Sequence, residues 1–198
     1  MTDVKVSGLL ISAGLSGRMG EFKPLMKFNG ETFVAGIVNK LSSLCDQVVI
    51  VTGFKKEKIE TLINSQFPNK VACIYNPHYT KGMFTSLKAG IEHFKDSDWV
   101  LYHFVDQPFF SNEFYKEMII QVSNEYDWVQ PVHNGREGHP VMFNKKIVEL
   151  IRESPLDSHL RKIRDLSVVR ENYWDCGYPE VLIDFDTKDD LEKFESGQ

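Results

Sequence analysis

L-I-S-A-G-L-S-G-R-M-G-E-F-K-P-L, residues Leu10 to Leu25, is a glycine-punctuated loop carrying Arg18 and Lys23 directly behind a β-strand pattern. Gly14, Gly17 and Gly20 allow tight turning and let backbone N–H groups come close to a ligand, because glycine has no Cβ in the way. Arg18 can fork onto phosphate oxygens, and Lys23 can act as a point charge. The preceding residues, Val4 to Ile11, are short, apolar and β-rich, as a buried parallel strand is. Ligands of open α/β sheets bind just outside the carboxyl ends of the strands, where this loop falls. The expected ligand is a polyphosphate.

The loop departs from two common phosphate motifs. It lacks G-x-x-x-x-G-K-[ST], and its glycines are spaced G-x-x-G-x-x-G rather than G-x-G-x-x-G. The second strand ends in Val51-Thr52-Gly53, with no acidic residue placed for a ribose. Glycine spacing alone is as compatible with a plain turn; the added S-G-R-M-G and Lys23 tilt the reading to function.

Outward from the loop, strand and helix patterns alternate. Helical spacing covers Phe33 to Leu44, Lys55 to Ile63, Phe84 to Phe94 and Asn112 to Val122. Strand patterns cover Gln47 to Thr52, Val71 to Tyr75, Trp99 to Val105 and Trp128 to Val132. Repeated βα units imply an α/β fold with a mostly parallel sheet flanked by helices on both faces. Asn134-Gly135 predicts a hairpin over residues 128 to 143. Helices are expected near Lys145 to Arg152 and Asp157 to Arg164. A strand is expected at Glu180 to Phe185, then a last helix from Lys188 capped by Thr187.

The 198 residues carry 42% hydrophobic and 26% charged side chains, which fits one globular domain over 1–198 and excludes disordered and fibrous classes. A net charge of −5 argues against long nucleic acid as partner, and the Arg161-Lys162-Arg164 cluster is too short to reverse that. No apolar run reaches the length of a membrane span. The opening residues lack a signal-peptide pattern. Cys45, Cys73 and Cys176 form no C-x-x-C pair, so each reads as a small buried hydrophobe in a cytoplasmic setting.

Asp106, in Val105-Asp106-Gln107-Pro108 at the end of a parallel strand, points toward the same crevice and is the best metal candidate, Mg²⁺ favouring carboxylates plus substrate phosphates. Its alternative role is a helix N-cap, which Ser111 or Asn112 could fill instead. Asp184 and Asp186 share one face if their segment is extended, so either could be the second ligand. Strand-end solvation is nearly as good an account of them. Gly82 and Ser86 open a helix suited to anion or base contact, a weak signal alone. His139, beside Pro140, reads as structural more readily than as a general base. The other histidines lack metal-ligand spacing, and Ser12 and Ser16 sit in no G-x-S-x-G elbow.

In order, L-I-S-A-G-L-S-G-R-M-G-E-F-K-P-L, G-M-F-T-S-L, V-D-Q-P, G-H-P-V-M-F and D-F-D-T-K-D-D-L resemble the nucleotidyltransferase family of molybdenum cofactor guanylyl- and cytidylyltransferases. Ala13 before Gly14, and G-M-F-T-S-L, bring the chain nearer the cytidylyl branch. The resemblance implies a Rossmann-like nucleotidyltransferase fold and Mg²⁺-dependent transfer of CMP from CTP to the terminal phosphate of molybdopterin, releasing pyrophosphate. It implies that Ala13, Gly14, Ser16 and Gly17 hold the nucleotide and that Arg18 and Lys23 grip the triphosphate. Gly53 and Ser86 would border base and ribose, Asp106 and Asp186 would hold Mg²⁺, and Gly138, His139 and Pro140 would face the acceptor. A molybdoenzyme would receive the product. The family's G-D-x-G-A-R-type segment is here Pro155-Leu-Asp-Ser-His-Leu-Arg161, keeping only Asp157 and Arg161.

Three other readings stay open. One is a related transferase acting on a sugar phosphate or alcohol phosphate. Another is a nucleotide-sugar glycosyltransferase using Asp184-Phe-Asp186, and the last is a nucleotide sensor without catalysis.

Overall fold

Every residue of β1 (Val6–Ser12) is buried, so its sequence runs apolar without alternation. The computed structural model describes residues 4–15 and 20–197. A small hairpin of β2 (Lys27–Phe28) and β3 (Glu31–Thr32) follows the loop, then α1 (Phe33–Leu44), whose N-terminus the Thr32 hydroxyl caps. The alternation continues through β4 (Gln47–Thr52), α2 (Lys56–Gln66), β5 (Val71–Tyr75), α3 (Met83–Ile91), β6 (Trp99–Phe104) and α4 (Asn112–Ile119). The last third holds β7 (Trp128–His133), β8 (Arg136–Glu137), β9 (Val141–Asn144), α5 (Lys145–Glu153), α6 (Leu160–Arg164), β10 (Glu171–Asp175) and α7 (Lys188–Ser196).

The main sheet has the order β10-β7-β9-β6-β1-β4-β5, with β8 paired to β7. β1 lies parallel between β4 and β6, so Ser12 stands beside Thr52 and Ile11 beside Phe104. β9 runs antiparallel between β6 and β7, and the short β8 is antiparallel to β7. Helices α1, α2 and α4 cover one face through Ile37, Leu41, Ile59, Phe114 and Met118. Helices α3, α5 and α6 cover the other through Phe84, Leu87, Ile147, Ile151 and Ile163. This is the Rossmann-like α/β arrangement the sequence predicts.

Two local departures matter. No strand forms over Glu180 to Phe185; Pro179–Leu182 is a 3-10 turn, and the residues after it cross the strand ends. Isolated bonds hold that crossing: His139 N–H donates to the Val181 carbonyl and Phe185 N–H to the Asp106 carbonyl, at 2.9 and 3.0 Å. The sheet edge is taken by β10, parallel to β7, which the polar sequence E-N-Y-W-D does not advertise. The predicted hairpin over residues 128 to 143 forms: Asn134 and Gly135, at φ 50° and 73°, turn β7 back into β8, and β7 pairs onward with β9 through Trp128 and Phe143. Also, Cys45 and Cys73 are half-buried, and only Cys176 is buried.

A separate aromatic cluster seats the C-terminus. Phe109 stacks on Phe194 of α7 at 5.0 Å between ring centroids and meets Phe185 edge-on at 5.0 Å. The Thr187 hydroxyl caps α7 as predicted, and the Asp190 carboxylate accepts in return from the Thr187 amide. These contacts fix the turns carrying Asp106 and Asp186.

Candidate active site

Two cavities meet at the carboxyl ends of β1 and β6. A cleft of about 240 Å³ is lined by Ser12, Ala13, Gly14, Lys23, Ser86 and Asp106, among others. A larger cavity of about 580 Å³ is lined by Gln130, Gly138, His139, Arg161, Asp184 and Asp186, among others. Asp106, Phe104 and Met83 border both.

Lys23 opens a 3-10 turn, Lys23–Leu25, with Pro24 fixing its start, and is only 9% exposed. Its Nζ lies 2.8 Å from Asp186 Oδ1 and 3.6 Å from Asp106 Oδ2. Burial pushes the Asp106 carboxyl above its ordinary range, against the opposing pull of Lys23. Asp106 Oδ1 is buried without a hydrogen-bond partner. Asp184 is pushed up to about 6 by burial and then by Asp106 and Asp186. Ser111 caps α4 through the Phe114 amide, so Asp106 is not spent as that helix cap.

An orphaned buried carboxylate oxygen beside a second carboxylate is a hard-oxygen donor set that suits a divalent cation. Among the described residues no group of three or more His, Cys, Asp or Glu could hold a metal alone. Substrate oxygens and water would complete the shell.

The sequence-predicted nucleotide residues divide in two. Ala13, Gly14 and Ser86 line the cleft; Ser16, Gly17 and Arg18 lie outside the described residues. Gly53 stands behind the cleft: a Cβ there would meet the Ala13 carbonyl at 2.6 Å and the Tyr79 ring at 2.7 Å. It lets the end of β4 press against the loop, where Phe54 N–H donates to the Ala13 carbonyl at 3.2 Å.

Ser12 and Asn76 are cleft-building residues that the motifs do not single out. The Ser12 hydroxyl is buried at the cleft wall without a partner. Buried Asn76 donates to both the Thr85 and Ser86 hydroxyls at 2.9 Å and accepts from the His78 amide. It thereby pins the start of α3 against the end of β5.

In the larger cavity, Gly138 and His139 face the space, and Pro140 is buried behind them after a cis peptide bond. A Cβ on Gly138 would fall 2.4 Å from the Val181 carbonyl, so this glycine admits the crossing segment. Burial and then Arg164 lower the His139 pKa to about 4, leaving a neutral imidazole whose Nδ1 has no partner. A ring with so low a pKa is a weak general base. Arg164 is saturated by Glu137 at 2.6 Å, Asp165 at 3.3 Å and Glu171 at 3.4 Å. Arg161, three residues earlier, reaches the same cavity from an exposed position.

His103 belongs to the core. Burial drops its pKa to about 3; Nδ1–H donates to the Phe104 carbonyl at 2.7 Å, and Nε2 accepts from the Tyr115 hydroxyl at 2.8 Å.

The model for the MobA-like NTP transferase domain matches residues 8–172. A molybdenum cofactor cytidylyltransferase from Escherichia coli is 25% identical over 92% of this chain and 92% of its own. A probable molybdenum cofactor guanylyltransferase from Bacillus cereus is 32% identical over 67% of this chain and 64% of its own. Among solved structures, a nucleotidyl transferase from Methanothermobacter thermautotroptrophicus superimposes with a TM-score of 0.78 at 20% identity, covering 98% of this chain and 97% of that one. A Mycobacterium tuberculosis protein solved in complex with manganese gives 0.73 at 18% identity, covering 97% and 98%. Asp184 and Asp186 lie beyond the matched family domain.

Proposed function

The chain belongs to the MobA-like NTP transferase family and is a nucleotidyltransferase, and from that premise we propose that it moves CMP from CTP to the terminal phosphate of molybdopterin. Pyrophosphate is the leaving group, Mg²⁺ the metal, and a molybdoenzyme the destination of the product. The observation that carries this reading is the position of Asp106, which borders both cavities while Lys23 lies 3.6 Å from it.

The cleft with Ala13, Gly14, Lys23 and Ser86 takes the nucleotide, and the larger cavity takes the acceptor. Tyr102, Phe104 and Trp128 line the latter and suit a flat heteroaromatic acceptor better than a sugar. A phosphate monoester with a second pKa of about 6 is already an anionic nucleophile at neutral pH, so no side-chain base is required. His139, with its pKa lowered to about 4, is a weak base and is not needed in that role.

The acceptor oxygen attacks the α-phosphorus, the bond from the α-phosphorus to its bridging oxygen breaks, and pyrophosphate departs with the electron pair. Lys23, with Arg18 as the sequence assigns it, neutralises charge growing on the departing group. The walls of the two cavities align the reactants, which supplies the entropic part of the acceleration. Asp106 and Asp186 would hold Mg²⁺, which when bound supplies Lewis-acid charge neutralisation at phosphoryl oxygens.

The test is pyrophosphate release from each of the four NTPs, with purified molybdopterin cofactor and Mg²⁺. CTP should dominate. Preference for GTP would replace the base assignment, and release only with a sugar or alcohol phosphate would replace the acceptor.

A further inference from the structure

The Lys23 ammonium stands where a divalent cation would have to make its contacts. It lies 2.8 Å from Asp186 and 3.6 Å from Asp106, the two carboxylates read above as metal ligands. The backbone around these acids is fixed. Phe185 N–H bonds the Asp106 carbonyl, Asp186 N–H bonds the Asp190 carboxylate at 3.0 Å, and the aromatic cluster packs both turns. The backbone thus fixes where both acids start, whereas the lysine reaches them over a four-carbon stem with rotatable bonds.

A dication placed between the acids would share them with the ammonium and repel it at short range. A triphosphate in the adjoining cleft offers that ammonium a competing set of anionic oxygens, because Lys23 lines that cleft as well.

We propose that Lys23 serves as a resident counter-cation that fills the metal seat in the nucleotide-free protein and vacates it when a triphosphate draws the ammonium away. Metal and nucleotide then enter as a coupled pair, and the empty enzyme holds divalent cation weakly. The coupling is reciprocal, since whatever strengthens metal binding in the presence of nucleotide strengthens nucleotide binding in the presence of metal. This inference rests on Asp106 and Asp186 being the metal ligands.

The experiment is Mn²⁺ binding to the purified, nucleotide-free chain, followed by loss of the free-ion EPR signal. It compares wild type with Lys23→Met, Lys23→Gln, Lys23→Arg, Asp106→Asn and the Lys23→Met/Asp106→Asn double variant, each checked for cooperative thermal unfolding. Removing the charge should tighten Mn²⁺ binding by roughly tenfold, the size of one lost charge-assisted hydrogen bond. Lys23→Arg should stay near wild type, and the double variant should lose the gain. Unchanged affinity in both neutral variants, with weaker binding in Asp106→Asn, overturns the counter-cation and leaves the metal ligands standing. A gain that survives Asp106→Asn, or no response to any substitution, overturns the ligand assignment itself.

Discussion

Lys23 Nζ and Asp186 Oδ1 meet at 2.8 Å although 163 residues of chain separate them. One comes from the loop behind the first strand and the other from the turn before the last helix. Their contact closes the site around the end of β6, where Asp106 projects.

That closure gives the first prediction. Lys23→Ala and Asp106→Asn should each unfold cooperatively and lower turnover by roughly two orders of magnitude or more, the weight of one preorganised charge in a transition state. Lys23→Ala removes the positive charge that offsets the growing negative charge on the leaving group, so kcat should fall more than CTP binding weakens. Steady-state kinetics with saturating acceptor would check this; wild-type kcat in either variant refutes the roles.

Gly53 offers a second prediction that does not touch the chemistry. A methyl group there would collide with the Ala13 carbonyl and the Tyr79 ring. Backbone and an aromatic ring cannot yield as the tip of a flexible side chain can. Gly53→Ala should cost about 1–3 kcal/mol of stability through overpacking. It should also raise the KM for CTP several-fold, because the displaced loop carries Ala13 and Gly14. Thermal unfolding and a CTP titration read the two effects separately.

What the sequence reveals of this site follows from how locally each feature is written. The glycine loop, the strand before it and Asp106 at a strand tip are encoded within a few residues, so pattern and spacing expose them. The Thr187 cap is equally local. The Glu180 to Phe185 segment reads as a strand because its apolar residues are buried, yet they are buried against Gly138 and the Phe28-Phe109-Phe194 cluster rather than in a ladder. Asp184 and Asp186 reach the site all the same. Ser12 and Asn76 stay hidden because their roles depend on neighbours distant in sequence. As charges Arg161 and Arg164 read alike as a surface basic cluster, and the fold is what shows Arg164 already paired.

The far end of the sheet carries a pH prediction. Asp127 precedes β7 and is 1% exposed in its side chain. Burial pushes its carboxyl up, but bonds from the Arg170 side chain, Lys146, the Arg170 amide and Asn144 outweigh that and hold it well below the usual range. A depressed folded pKa means the stabilisation is complete above the unfolded value of about 3.9 and drains away as pH falls through the folded one. Asp127→Asn should therefore lower Tm most at pH 7, by the equivalent of about 1–3 kcal/mol for a buried network left incomplete. The gap to wild type should narrow as a thermal-unfolding series descends from pH 5 to pH 2. A gap that widens in acid contradicts the assignment.

Arg161 and Arg164 close the set, because one helix presents two arginines to one cavity with opposite consequences. Arg164 is 9% exposed in its side chain and already shares its guanidinium among Glu137, Asp165 and Glu171. It has little left to offer an anionic acceptor, and Arg164→Ala would leave Glu137 and half-buried Glu171 facing each other. Partial exposure of those acids screens the penalty, so about 1–3 kcal/mol of lost stability is expected, below the range for fully buried pairs. Arg161 is exposed at the cavity mouth and can turn toward an incoming phosphate. Arg161→Ala should leave Tm and the KM for CTP near wild type while raising the KM for the phosphorylated acceptor roughly tenfold, the size of one charged hydrogen bond. Two-substrate kinetics separates these parameters, and an equal rise in both KM values would place Arg161 on the nucleotide instead.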